Sequence, residues 1–67
     1  MNERERLGGL IRDIRQQKGM TQEQLAEKCG MKRTTISKIE SGKFNASVDI
    51  LSAILRPLGC ELDIKGA

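Results

Sequence analysis

Apolar residues recur at helical spacing in four separate stretches of this chain, and capping and turn residues fill the gaps between them. In the first stretch Leu7, Leu10, Ile11 and Ile14 fall on one face, with Arg12, Asp13, Arg15 and Gln16 elsewhere. Asn2, three residues before Glu5, has the spacing of a capping box that starts this helix, and Gly19 is placed to end it. The Gly8-Gly9 pair weakens the helix by about 1 kcal/mol per residue relative to alanine. Close approach of another backbone would explain small residues there.

The second stretch opens on Thr21 and Gln24, another capping-box pair, with Met20 placed as the hydrophobic staple before it. Leu25, Ala26 and Cys29 form its inner stripe. Gly30, Met31 and Lys32 alone separate it from the third stretch, Arg33–Glu40, which turns Ile36 and Ile39 inward and stops at Ser41-Gly42. Two short helices joined by a three-residue turn containing glycine make a helix-turn-helix. Lys43–Ala46 reads as a loop with Phe44 tucked against the core. Ser47 then caps a fourth helix whose apolar face is Val48, Leu51, Ile54, Leu55 and Leu58. Pro57 removes a backbone donor in its last turn, so this helix should end or distort near Leu55–Leu58, with Gly59 closing it. The tail from Cys60 to Lys65 alternates apolar and polar residues, the period-two signature of a half-buried strand. The expected fold is mainly α: a compact four-helix domain over residues 1–59, followed by a C-terminal β-strand and tail over 60–67.

A chain of 67 residues with one Phe and no Trp or Tyr must build its core from aliphatic side chains. Such a core supplies only a few kcal/mol, and oligomerising is the simplest way to bury more surface. A homodimer is therefore expected. A lone strand with unpaired edges points the same way, since its own copy across a two-fold axis could pair with it. Leu58, Leu62 and Ile64 are the candidate dimerisation residues. Cys29 and Cys60 lie far apart in sequence among apolar neighbours, without a C-x-x-C spacing or a histidine, and read as free packed thiols. Two cysteines and no histidine do not supply a usual zinc site, and no cofactor is expected. The opening Met-Asn-Glu-Arg-Glu-Arg runs straight into an amphipathic pattern and is not read as a leader. No apolar run approaches a membrane span, so a cytoplasmic protein is expected.

Charge changes the picture through its distribution. The net charge is +3, and the window from Lys32 to Lys43 holds all of it: Lys32, Arg33, Lys38 and Lys43 against Glu40 alone. A local basic excess around the third helix is the footprint of a polyanion contact. That helix can enter the major groove and present its first turns to base edges. Arg33, Thr34, Ser37 and Lys38 lie opposite or beside Ile36 and Ile39. Arg33 can make a bidentate contact with guanine, Thr34 can meet a thymine methyl or a phosphate, and Lys38 can reach a base or the backbone. The start of the second helix, with free N–H groups near Thr21, is suited to an anion.

The segments Thr21-Gln-Glu-Gln-Leu-Ala26, Gly30-Met31, Thr35-Ile-Ser-Lys-Ile-Glu40 and Gly42-Lys43 resemble the phage-repressor and Cro-like (XRE-type) helix-turn-helix family, over about residues 5–58. The resemblance implies a lambda-repressor-like fold and sequence-specific binding of double-stranded DNA as a transcriptional regulator. A repressor is expected, acting as a homodimer on a pseudo-palindromic operator. By the same resemblance Gln22 contacts the DNA backbone or an adjoining base and Lys43 the backbone, with Lys32 and Thr35 as further candidates. It also implies a salt bridge from Arg15 to Glu40 that ties the first helix to the end of the third. The strand-like ending departs from relatives with a fifth helix and resembles the short antitoxin-type regulators, which implies a toxin protein as a possible second partner. Without histidine, paired carboxylates or a phosphate-cradling glycine loop, there is no catalytic constellation. So small a core leaves little room for an effector pocket.

Overall fold

A computed structural model describes residues 2–63 of the chain. Four α-helices, α1 (Glu3–Gln17), α2 (Gln22–Cys29), α3 (Arg33–Glu40) and α4 (Val48–Leu55), are followed by one 3-10 turn, Arg56–Leu58. The caps stand where the sequence placed them. Asn2 accepts the Glu5 N–H at 2.9 Å, and Thr21 and Gln24 form a reciprocal capping box. The Ser47 hydroxyl accepts the Ile50 N–H at 3.2 Å. Pro57 ends α4 at Leu55, and the chain tightens into the 3-10 turn before Gly59.

One core joins the helices: Ile11, Leu25, Ala26, Ile36, Ile39, Ile54 and Leu58 are buried, with Met20, Phe44, Leu51 and Leu55 packed around them. Gly8 is buried where α1 crosses the end of α3. A Cβ there would run into the carbonyl oxygen of Ile39 and would lie 2.8 Å from that of Glu40. Its neighbour Gly9 has open space, so only the first glycine of the pair serves close approach.

Three apolar expectations need correction. Leu10 is 46% exposed; the buried line of α1 runs through Gly8, Ile11 and Arg15, and at about 100° per residue Leu10 falls off its edge. Val48 is 68% exposed for the same reason, lying well round α4 from Ile54. Leu58, a candidate for dimer contact, is 1% exposed and fills the chain's own core, so it has no surface left for a partner. The expected strand is also missing from the described residues. Cys60–Asp63 has no regular structure, because an extended segment becomes a strand only by pairing and this fold offers it no edge. Ile64 and Lys65 lie outside the described residues. Cys29 and Cys60 are both free thiols, half-buried. No helix among the described residues is long and apolar enough to cross a membrane.

Candidate nucleic-acid interface

The turn between α2 and α3 is closed by backbone geometry. Gly30 adopts the left-handed conformation (φ 68°), which a side chain would strain. That bend lets Gly30 N–H and Met31 N–H reach back to the carbonyls of Glu27 and Ala26. The chain is thereby turned sharply enough for α3 to start two residues later at Arg33, and α2 and α3 bury Leu25, Ala26, Ile36 and Ile39 together.

Burial sorts the side chains of α3. Ile36, Ile39 and Glu40 are buried. Arg33, Thr34 and Lys38 are exposed, while Thr35 and Ser37 are half-buried on opposite flanks. Lys32 is exposed at the helix start, where no side chain caps it. Lys43 is exposed just past the helix, its N–H donating to the Lys38 carbonyl at 2.9 Å. The helix therefore presents an outer row of Thr34 and Lys38, with Arg33 at its N-terminal end and cations at both ends. Four of the five exposed groups carry positive charge.

Behind this surface Arg15 and Glu40 meet. The Arg15 Nε donates to one Glu40 carboxylate oxygen at 2.7 Å and a terminal guanidinium nitrogen donates to the other at 3.0 Å. Both side chains are almost fully removed from water. The second terminal nitrogen of Arg15 donates to the Met20 carbonyl at 2.6 Å, so one guanidinium also holds the turn that leads into α2. Gln22 joins the same network: its amide nitrogen donates to the Glu40 carboxylate at 3.1 Å. Sequence reasoning missed this last bond, because it treated Gln22 only as a DNA contact and Glu40 only as the partner of Arg15. Arg12, off the apolar face of α1 as expected, is exposed and lines a polar cleft together with Gln22 and Ser37. Gln22 and Glu40 stand at the ends of separate helices and share no spacing rule, so their bond was not visible before the helices were packed.

Of the candidate dimer residues, Leu62 is 41% exposed and Ile64 lies outside the described residues. Among the described residues there is no cluster of groups able to hold a metal ion.

The pattern of helix-turn-helix domains matches residues 11–65. An uncharacterized HTH-type transcriptional regulator from Methanothermobacter thermautotrophicus is 44% identical over 52 residues, spanning 78% of this chain and 75% of that protein. The immunity repressor protein of Bacillus phage phi105 is 36% identical over 56 residues, 84% of this chain and 39% of its own length. The antitoxin HipB of Escherichia coli O6:H1 is 40% identical over 61 residues, 91% of this chain and 65% of the antitoxin. Among solved structures, the restriction–modification controller protein C.Esp1396I, a tetramer in complex with its natural 35-base-pair operator, superposes with a TM-score of 0.77 at 41% identity. The match covers 81% of this chain and 71% of that one. With its two short helices set by the Gly30 turn and relatives of this kind, the chain belongs to the helix-turn-helix family of transcriptional regulators.

Proposed function

We propose that this protein is a DNA-binding transcriptional repressor of the cytoplasm that docks α3 in the major groove of a pseudo-palindromic operator as a homodimer. The observation that carries the reading is the outer face of α3: Arg33, Thr34 and Lys38 are exposed on a helix whose other side is locked to α1 and α2. Arg33 and Thr34 stand at its N-terminal end, where recognition helices contact bases. Arg33, Thr34, Ser37 and Lys38 read base edges. Gln22, Lys32, Thr35 and Lys43 hold the backbone. The similarity to a phage immunity repressor and to a controller protein solved on its operator supports the DNA-binding reading. The tail beyond Leu58, with exposed Leu62, is the element we assign to pairing with a second copy.

The division is tested by measuring binding of Arg33→Ala and Lys43→Ala to a panel of duplexes differing at single base pairs. Arg33→Ala loses discrimination at one position, about 1–3 kcal/mol. Lys43→Ala weakens every duplex alike and lowers the salt slope by about one per subunit. Equal losses on all sequences by both variants would overturn the assignment of reader and positioner. A second reading, that the chain also neutralises a toxin protein, is favoured by its similarity to the antitoxin HipB. Co-purification of a second protein from the source cell tests it.

A further inference from the structure

Between α1, the start of α2 and α3 lies a shallow polar cleft of about 230 Å³. The Arg15–Glu40 pair forms its floor, and Arg12, Gln22, Ser37 and Ser41 stand around it. The floor is electrically closed, because the Glu40 carboxylate accepts from two guanidinium nitrogens and from the Gln22 amide. Arg12 is in a different situation. It is exposed one turn before Arg15, and among the described residues no ion pair or hydrogen bond engages its side chain. Gln22 keeps a second amide N–H and its carbonyl oxygen, since only one of its donors is committed to Glu40. The acids nearest in sequence, Asp13 and Glu23, are not part of the cleft wall. The result is one uncommitted cation beside neutral donors, over a buried ion pair.

We infer that this cleft seats one phosphodiester of the DNA backbone and that Arg12 is its cation, a contact additional to those of Gln22 and Lys43. The inference rests on the DNA-binding reading given above. The major groove is about 12 Å wide and a helix with its side chains is nearly as thick, so the phosphates of the groove wall run along both flanks of an inserted helix. When Thr34 and Lys38 face the bases, Ser37 and Ser41 form one of those flanks, and that flank opens on the cleft. A wall phosphate brought against Ser41 on that flank therefore meets Arg12 from α1.

The experiment is equilibrium binding of the full chain to a labelled duplex recovered by selection, across a series of salt concentrations. Native protein is compared with Arg12→Gln, Arg12→Lys and Arg56→Gln, the last removing an exposed charge in a separate groove beside α4. Arg12→Gln is expected to lower the slope of log K against log salt by about 0.9 per subunit, as loss of one phosphate contact requires. Arg12→Lys keeps the slope, and so does Arg56→Gln. Replacing phosphates one at a time by uncharged methylphosphonate should find one linkage per half-site whose neutralisation weakens the native protein and leaves Arg12→Gln unaffected. A native slope in Arg12→Gln, an equal loss in Arg56→Gln, or identical methylphosphonate profiles would overturn the inference. Salt-dependent binding with an unaffected Arg12→Gln refutes the cleft alone. A native chain that binds no duplex refutes the parent reading and the cleft with it.

Discussion

Glu40 is an acid placed on a helix that is otherwise positively charged, and its position explains why it is tolerated. Its carboxylate is buried against Arg15 and takes a third donor from Gln22, so it presents no free negative charge to an approaching phosphate. A buried pair of this kind is weak evidence for net stability, yet removing one partner strands the other and costs about 3–5 kcal/mol. Glu40→Ala should therefore lose roughly that much in urea unfolding, a large share of what a domain this small has to lose. A loss below about 1 kcal/mol would mean that water reaches Arg15 freely. The glycine pair gives a paired prediction. Gly8→Ala places a methyl against the Ile39 and Glu40 carbonyls and should destabilise by about 1–3 kcal/mol, whereas Gly9→Ala meets nothing and should gain up to about 1 kcal/mol. Thermal melts of the two variants in opposite directions would bear this out, and the same sign in both would contradict it. Burial pushes the Cys29 thiol above its usual range. It should be alkylated at pH 8 more slowly than a free cysteine, and the favourable state is the neutral thiol, retained at low pH and lost as pH rises through the raised value.

At the scale of elements, most of the chain was legible because local rules decided it. The caps at Asn2, Thr21 and Ser47, the Gly30 turn and the break at Pro57 all depend on residues within a few positions of one another. Thr21→Ala removes a cap whose reciprocal bonds measure 2.9 and 3.1 Å, and should cost about 1 kcal/mol of stability by denaturant titration. No measurable change would mean that α2 is held by packing alone. Residues whose placement depends on a second helix were less legible. Leu10 and Val48 have the right chemistry but sit off the faces that packing selected, and Leu58 was given to a partner although its own core had room for it. The Gln22–Glu40 bond joins positions 18 residues apart and the Arg12 cleft gathers residues from three helices, and neither left a periodic trace in the sequence. The tail alternates as a strand should, but alternation reports only which side chains could share a face. A strand needs a partner, which the described residues of this chain do not supply.

For the whole molecule, the small aliphatic core and the exposed Leu62 are the grounds for the dimer proposed above, built on the C-terminal segment. Light scattering of the full chain should give twice the monomer mass, and removal of residues 60–67 should give the monomer with the helical signal retained. A monomer before the deletion, or a dimer after it, would contradict the assignment of that segment. The proposed dimer would set the separation of its two α3 helices, and hence the spacing of the half-sites they read. Selection of bound duplexes from a random pool, at moderate salt, is the most direct test of the central claim that the exposed face of α3 reads DNA sequence. The expected result is a two-fold-related motif with half-sites about one helical turn apart, which loses its preference at one base position when Arg33 is replaced by alanine. A pool that enriches no motif, or a motif unchanged by Arg33→Ala, Thr34→Ala and Lys38→Ala alike, would contradict it.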